Sequence, residues 1–448
     1  MEGVTPDPHP HHPRVRYNVV IHAADAGFFG LALGLASFVT VFPLFVRTLT
    51  DSAVLIGLIG ALHPLGWHLP QLVTAKRVAG LRRFLPMVML TTSIERVPFF
   101  LLAGLVWLSA SLPKGLTLAL TFSLVFLIGL GGGLTATAFQ SMVGKIMPPW
   151  RRGAFYGIKT AAANGMLMLG AVIAGRLIDH VAYPHNFSLC FALAGMATLV
   201  SWAILGRTWE VDAAPLAELG LDGDGMSGGV GDTPDGISDA NIDGLSSVTS
   251  ESPMTPPLRT TLTQILKRDP HFRWFLLSRS LSQLANMATA FYTVYGVTRF
   301  GIDGFTAGLM TGTFAGAQTL ANPLMGWLGD RRGHGWVMKL GMLAAAAGAL
   351  LALAAPSAGW LYGVFVLAGI ANVAAFTMPL AINLQLAPPA HRPAYIGLAN
   401  TLFAPSIALA TLLGGLLAQK FGYQATFLAA AAGGLATALV LHFRVAHV

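Results

Sequence analysis

Twelve stretches of mostly apolar residues recur along the 448-residue sequence. A helix that spans a bilayer needs about 20 such residues. Charged residues form only 10% of the chain, whereas a soluble domain usually carries about 25%. The sequence therefore predicts an all-α polytopic membrane protein. We place the spans at 18–46, 52–75, 84–108, 115–143, 153–179, 187–206, 274–297, 304–328, 336–354, 359–385, 393–419 and 425–443.

A polar segment divides the spans into two sets of six. It is rich in Gly, Asp and Ser and has few large apolar side chains, so it cannot bury enough surface to fold. We expect residues from about 212 to 255 to be disordered and dispensable for folding. The predicted organisation is a disordered tail (1–17), an N-terminal six-helix bundle (18–206), an acidic linker (207–271) and a C-terminal six-helix bundle (272–448).

The distribution of basic residues predicts the orientation. Nineteen Lys and Arg residues fall on the side of the N-terminus and five on the other side. Basic residues are retained in the cytoplasm, so we expect both termini and the linker to be cytoplasmic, in a cell membrane. The net charge of +8 is spread over short gaps between spans, which does not indicate a nucleic-acid surface.

The glycine-rich sequence "GLGGG" (129–133) resembles a nucleotide-binding loop only superficially. It lies inside an apolar span, and no Walker lysine follows. Close packing between helices explains it better. We therefore expect neither a cofactor nor an enzymatic activity, and the energy for any transport must come from a gradient.

An internal repeat relates the two halves. "IMPPWRRGAFYGI" (146–158) and "LAPPAHRPAYIGL" (386–398) align at an offset of 240, with Arg152 over Arg392. Each segment joins the fourth and fifth spans of its half. Such a repeat predicts two parallel six-helix bundles related by an axis along the membrane normal, with a pathway between them.

The segment "GWLGDRRGHG" (326–335) then carries a family resemblance. It is similar to the loop signature of the major facilitator superfamily, through Gly326, Asp330, Arg331, Arg332 and Gly333. The resemblance implies a gating loop, in which Asp330 accepts hydrogen bonds from a helix start in the other half. We expect this latch to close the cytoplasmic ends.

Other segments depart from this family pattern. The equivalent loop of the first half (74–83) has no acidic residue, and "GAVIAG" (170–175) lacks the proline typical of many drug–proton antiporters. These differences weaken a drug-efflux interpretation. "ERVPFF" (95–100) resembles a poorly characterised bacterial branch of the superfamily.

Several charged residues fall inside predicted spans, where each is costly unless it meets a partner or a cavity. Asp25, with His22 on the same helix face, and Arg279 lie at similar depths in spans 1 and 7. We expect Asp25 and Arg279 to pair across the cavity, as a structural ion pair, a substrate or proton site, or both.

The remaining intramembrane residues fall into two groups. Glu95 and Arg96, and also Lys159, are interpreted as structural charges that connect helices of one half. The predicted cavity for substrate and coupling ion is lined by aromatic and polar residues, which suits a small organic solute. Its members are Asp25, His22, Arg279, Gln283, Asn286, Tyr292, Tyr295 and Asn372, with His63, His68, Phe291 and Asn400 as further points on its wall.

The function favoured by these patterns is secondary active transport of a small organic solute by alternating access, with export as the expected direction. Protons are the expected coupling ion, and membrane lipids surround the protein. Two alternatives stay open. One is a protein of this fold that senses a ligand or organises partners without transport, and the other is a lipid flippase.

Overall fold

The computed structural model describes residues 12–210 and 269–445, apart from 71–73, 75–76, 79, 149–150, 380–381, 383–385 and 387–391. The described chain is helical and contains no strand. The helices of the first half are α1 (His12–Leu35), α2 (Val41–Leu49), α3 (Ala53–His68), α4 (Leu85–Trp107), α5 (Lys114–Ile146), α6 (Arg152–His180) and α7 (His185–Leu205).

The second half repeats this arrangement. Its helices are α8 (Pro270–Asn286), α9 (Thr289–Phe300), α10 (Gly304–Arg332), α11 (His334–Ala354), α12 (Trp360–Phe376), α13 (Arg392–Phe421) and α14 (Tyr423–Val440). Eight helices of the described chain are long and apolar enough to cross a bilayer, and α3 and α12 are shorter apolar helices. The predicted architecture of two parallel six-helix bundles is confirmed. We call the side where α1 begins and α14 ends the terminal face, and the other side the opposite face.

The first span of each half is broken, which the sequence analysis did not predict. Span 1 consists of α1 and α2, and span 7 consists of α8 and α9. In the first break, the Ser37 hydroxyl accepts hydrogen bonds from the backbone N–H groups of Val39 and Thr40, both at 3.2 Å. This local turn competes with helical bonding, so the chain changes direction before α2.

Two predicted boundaries differ from the structure. Helix α1 begins at His12, so residues 12–17 extend span 1 instead of belonging to the tail. Residues 207–210, placed in the linker by the sequence, pack against the first bundle: the Asn18 side chain bonds the backbone of Trp209 in both directions at 3.0 Å. The expected disorder of 212–255 lies outside the described residues.

Glu210 ends this packed segment and joins three helices. Its carboxylate accepts hydrogen bonds from the backbone N–H groups of Phe84 and Leu85, both at 2.9 Å, and forms an ion pair with Lys145 at 3.1 Å. The Glu210 side chain is fully buried. A carboxylate at a helix start is stabilised by the helix dipole, so Glu210 fixes α4, α5 and the end of α7 to one another.

Helix ends on the opposite face follow from local sequence. Gly301 adopts φ 64° after α9, a left-handed conformation that glycine adopts without steric cost. Asp303 then begins α10, where its side chain accepts a hydrogen bond from Thr306 N at 2.8 Å. The hydrogen bonds from Thr306 lower the pKa of the Asp303 carboxyl. This cap fixes the residue at which α10 begins.

Candidate functional site

The two bundles are in close contact on the opposite face, mainly through α6 and α10. Gly175 lies against the backbone of Gly304, and Gly308 lies against the carbonyl oxygen of Ala171. A methyl group added to Gly175 or Gly308 would overlap these backbone atoms. Small residues let helix backbones approach closely inside a membrane. Glycine at these positions therefore permits the close contact between α6 and α10 that closes the opposite face.

Asp179 adds a polar connection at the same place. It lies in the last turn of α6, and its two carboxylate oxygens accept hydrogen bonds from the backbone N–H groups of Gly304 and Phe305, both at 2.7 Å. The guanidinium of Arg176 lies 4.1 Å from the centre of the Phe305 ring. A carboxylate of the first bundle thus occupies the positive end of a helix of the second.

The two broken spans also meet here. The Thr293 hydroxyl donates to Val39 O at 2.8 Å, and the Thr40 hydroxyl is hydrogen-bonded to that of Thr311. Ser52 Oγ donates to Gln419 Oε1 at 3.1 Å. Every hydrogen bond between the bundles that connects two described residues lies on this face.

The terminal face contrasts with this closure. The side chain of Asp330 is 79% exposed, and its described ion-pair partner is His334 of the same half, at 3.7 Å. Arg331 and Arg332 lie over Trp327 and Trp336, again within one half. Gly326 has open space around it, and Gly333 adopts φ 90° between α10 and α11. Among the described residues, the expected latch between halves is therefore absent in this conformation.

A cluster of charged side chains lies inside the first bundle. Asp25 of α1 accepts a hydrogen bond from Ser201 Oγ of α7 at 2.7 Å and lies 3.8 Å from Arg96 Nη2. Arg96 of α4 donates to Thr198 O at 3.1 Å and to Ser201 Oγ at 3.0 Å. Arg96 therefore connects span 3 to span 6 of the same half in this conformation.

Two further charges complete this cluster. Glu95 Oε2 lies 3.9 Å from Arg96 Nη1, which is a long contact, as expected for adjacent residues on a helix. Lys159 of α6 interacts electrostatically with both Asp25 and Glu95, and its ammonium lies 3.8 Å from the centre of the Phe139 ring. We call these four residues, Asp25, Glu95, Arg96 and Lys159, the charge cluster.

His22 is on the same helix as Asp25 and lies beside the charge cluster, since it contacts Phe139, the ring that Lys159 also contacts. Its Nε2 lies 3.3 Å from the hydroxyl of Thr208, and its ring packs against Phe139 and Phe155. His22 is fully buried. It therefore supports the packed segment 207–210 and does not share a site with Arg279.

The expected pair between Asp25 and Arg279 is wrong for this conformation. Arg279 Nη2 donates to Asn400 Oδ1 at 3.2 Å, and its guanidinium carbon lies 4.2 Å from the centre of the Phe403 ring. Equal depth did not bring the two residues together, because Asp25 is directed toward α7 of its own bundle.

Polar residues of the second bundle bond mainly to one another. Gln318 Nε2 donates to Asn372 Oδ1 at 2.7 Å, which brings the predicted Asn372 together with a residue that the sequence analysis missed. Gln283 donates to Ser282 Oγ at 3.3 Å, and Asn286 donates to Ser282 O at 3.1 Å. Gln318 lies in α10, which contains several other polar residues. One further polar residue in that helix did not indicate a site.

The two tyrosines predicted for the cavity belong to the core of the second bundle. Tyr292 and Tyr295 are 2% and 3% exposed, and both rings pack against Phe427. Tyr295 donates to Ala352 O at 3.2 Å. Since both side chains are enclosed by their own bundle, they do not reach the space between the halves.

The repeat-loop arginine of the first half closes the turn between α5 and α6. Arg152 donates to Gly144 O at 2.7 Å and to Met147 O at 3.2 Å. The side chain of Arg392 lies outside the described part.

The glycine run 129–133 of α5 permits close packing between helices, as expected. Gly129 contacts the backbone of His63, and Gly131 contacts that of Glu95.

Comparisons with known proteins agree with this architecture. The family model of the Major Facilitator Superfamily matches residues 275–447. Human "Solute carrier family 67 member A1" is 34% identical over 146 residues, which is 32% of this chain and 34% of the relative. Mouse "Solute carrier family 22 member 18" is 34% identical over 128 residues, 28% of this chain and 31% of the relative. The chain thus matches about a third of the length of these relatives.

Solved transporter structures match nearly the whole chain. A mutant form of the nucleoside transporter NupG gives a TM-score of 0.68 at 11% identity and covers 95% of this chain and 99% of its own. A POT family transporter in complex with 5-aminolevulinic acid gives 0.64 at 15% identity, with coverage of 97% and 96%. The xylose transporter XylE from E. coli gives 0.64 at 14% identity, with coverage of 95% and 97%. At these identities the likeness concerns the fold.

Proposed function

The chain belongs to the major facilitator superfamily, and we propose that it exports a small organic solute by alternating access, coupled to protons. It is a multi-pass membrane protein of a transporter family and not an enzyme. The family model over its second half and the fold of nucleoside, peptide and sugar transporters support this proposal. We place it in the cell membrane with the terminal face toward the cytoplasm, since basic residues concentrate there.

The observation that carries the coupling proposal is the charge cluster. Asp25 of α1 and Glu95 of α4 lie 3.8 and 3.9 Å from the guanidinium of Arg96, and Lys159 of α6 adds a second cation to their electrostatic surroundings. When all four side chains of the charge cluster are charged, the two negative and the two positive charges cancel. Because Arg96 is held by the backbone of α7, we propose that the carboxylates accept the coupling proton while Arg96 stays charged.

The contacts between the bundles support an inward-facing conformation under this orientation. Hydrogen bonds between described residues of the two bundles occur only on the opposite face, which would be the outside. The solute would enter from the cytoplasm, and the outer contacts would then open.

Proton flux in reconstituted vesicles tests the coupling. Purified protein is placed in liposomes with an internal pH dye, and a nucleoside, 5-aminolevulinic acid, a dipeptide, xylose and benzoate are added in turn. The signal of protein-free liposomes is subtracted, because neutral benzoic acid crosses lipid unaided and carries a proton with it. We expect at least one solute to drive proton movement, and Asp25→Asn and Glu95→Gln each to reduce it more than about tenfold.

Asp51→Asn is the matched control, since Asp51 is an exposed acid on the opposite face. Its flux should equal that of the unchanged protein. Solute accumulation that continues at full rate in the Asp25 and Glu95 variants would contradict the assignment of the charge cluster. Binding of a solute without any accumulation would favour the sensor alternative.

A further inference from the structure

Arg279 and His68 lie where the two bundles meet near the middle of the membrane. Arg279 is nine residues after the start of α8 at the terminal face, on the order of 14 Å along the helix. His68 is the last residue of α3, which begins at the opposite face. The two residues belong to different bundles, so a ligand that contacts both would connect the bundles.

The guanidinium of Arg279 has unused hydrogen-bond donors. Arg279 is 7% exposed, and its Nε and Nη1 atoms are buried without a hydrogen-bond partner among the described residues. Asn400 Oδ1 bonds to Nη2 and takes one of the two N–H groups on that atom. One edge of the guanidinium therefore keeps two parallel N–H groups, the arrangement that binds both oxygens of a carboxylate.

His68 provides a third unused polar atom beside Arg279. His68 is 8% exposed, and its Nδ1 is buried with no hydrogen-bond partner in the described part of the chain. It interacts electrostatically with Arg279 and brings no negative charge. A buried cation without a counter-charge is costly, whereas a bound anion would satisfy the guanidinium and the imidazole together.

The surroundings of these donors are apolar. The Phe403 ring contacts both groups, with its centre 4.2 Å from the Arg279 guanidinium carbon and 5.3 Å from the centre of the His68 ring. Phe403 packs with Ala61 and Ile407 in a small apolar cluster between the bundles. The ring lies over the face of the guanidinium, whereas the N–H groups point outward in its plane, so Phe403 can form an apolar wall beside a ligand bound to these donors.

We propose that Arg279 and His68 bind the carboxylate of a small organic acid, with its apolar part against Phe403. The binding site stands on this geometry alone, while the statement that the organic acid is the transported solute rests on the proposed function. The guanidinium supplies a two-point hydrogen bond and the imidazole a third contact. A neutral amide of the same shape lacks the charge and presents an N–H₂ group to these donors.

Thermal stabilisation in detergent tests the site with defined probes. Benzoate, phenylacetate and hexanoate are compared with benzamide, phenylacetamide and hexanamide at equal ionic strength. We expect the carboxylates to raise the melting temperature in a saturable way and the amides to leave it unchanged. Arg279→Gln should weaken carboxylate binding roughly ten- to hundredfold, as expected for loss of charged hydrogen bonds, and His68→Ala should weaken it less.

A second readout separates binding from a structural role of Arg279. Without ligand, Arg279→Gln should raise the melting temperature, because it removes a buried cation whose donors are unpaired. Arg299→Gln is the matched control, since Arg299 lies at the far end of the same span and donates to Tyr295. It should bind the carboxylates like the unchanged protein.

Three results would overturn the site: equal effects of acids and amides, undiminished carboxylate binding in Arg279→Gln, or a lower melting temperature of that variant without ligand. The vesicle assay is independent of these outcomes. Benzoate that binds through Arg279 but is not accumulated would refute the statement that the bound acid is the transported solute and leave the carboxylate site intact.

Discussion

Asp179 and Asp330 are both near helix ends, yet only Asp179 contacts the other bundle among the described residues. Asp179 accepts two hydrogen bonds at the start of α10 on the opposite face, whereas Asp330 on the terminal face is 79% exposed. The mechanism expected for Asp330, a carboxylate at the start of a helix in the other half, is therefore used by Asp179. A carboxylate at a helix start thus joins the bundles on the opposite face in this conformation, and the same role for Asp330 on the terminal face stays a prediction.

Glu210 shows a third arrangement of the same chemistry. It lies on the terminal face like Asp330, and it accepts hydrogen bonds at a helix start like Asp179, but all its described partners belong to its own bundle. A carboxylate at a helix start can thus hold one bundle together or join two. Four substitutions distinguish these roles.

The largest effect is expected for Glu210→Ala. The change leaves two backbone N–H groups and Lys145 without their carboxylate, and breaking such a buried network costs about 3–5 kcal/mol. We expect a clear fall in melting temperature in detergent. Glu210→Gln keeps one acceptor oxygen, so its melting temperature should lie between those of Glu210→Ala and the unchanged protein. Distances between spin labels on the two bundles should not change if Glu210 acts within one bundle only.

A smaller effect on stability, but a large one on conformation, is expected for Gly308→Ala. The added methyl overlaps Ala171 O, and overpacking of this kind costs about 1–3 kcal/mol. Label distances across the opposite face should lengthen. Gly316→Ala on the same helix meets open space and serves as the control. If both variants gave the same distances, the α6–α10 contact would not limit opening.

Asp179→Asn should have a moderate effect on the same distances. The neutral side chain keeps one acceptor oxygen, so it loses one of the two hydrogen bonds, worth about 0.5–1.5 kcal/mol. It also loses its interaction with the helix dipole, worth about 0.3–1 kcal/mol at an exposed site. The population with an open opposite face should rise roughly four- to seventyfold, with little change in melting temperature. Asp303→Asn is the control because Asn caps a helix start nearly as well as Asp, and the Asp303 cap lies within one bundle. An identical shift in both variants would show a helix-capping effect.

The smallest effect is expected for Asp330→Asn. Its carboxylate makes no contact between bundles among the described residues, so label distances in the conformation described here should stay the same. Conditions that close the terminal face provide the sharper measurement. If the label distances shift only under conditions that close the terminal face, the latch belongs to the alternate conformation. If they shift under neither condition, the loop is an ordinary charged turn.

The charged residues of the membrane interior show how far sequence reasoning reached. The high cost of a charge in lipid predicted that Arg96 has partners, and Thr198 and Ser201 of its own bundle accept its hydrogen bonds. The same reasoning gave a depth for Asp25 and Arg279 but no direction around the helix axis. Spacing along the sequence cannot say which neighbouring helix an intramembrane side chain faces, since each neighbouring helix is mostly apolar and its few polar residues look alike in sequence.

Hydrophobic length and internal repetition determined the all-helical membrane fold and its two bundles, because lipid leaves a backbone few ways to satisfy its hydrogen bonds. The sequence could not show that Asp179 binds the start of α10 on the opposite face, or that Arg279 and His68 both contact Phe403. These last contacts join residues more than a hundred positions apart, through side chains that are individually ordinary in sequence. Their energies depend on which face of each helix is turned toward the other bundle, and packing between helices sets that rotation.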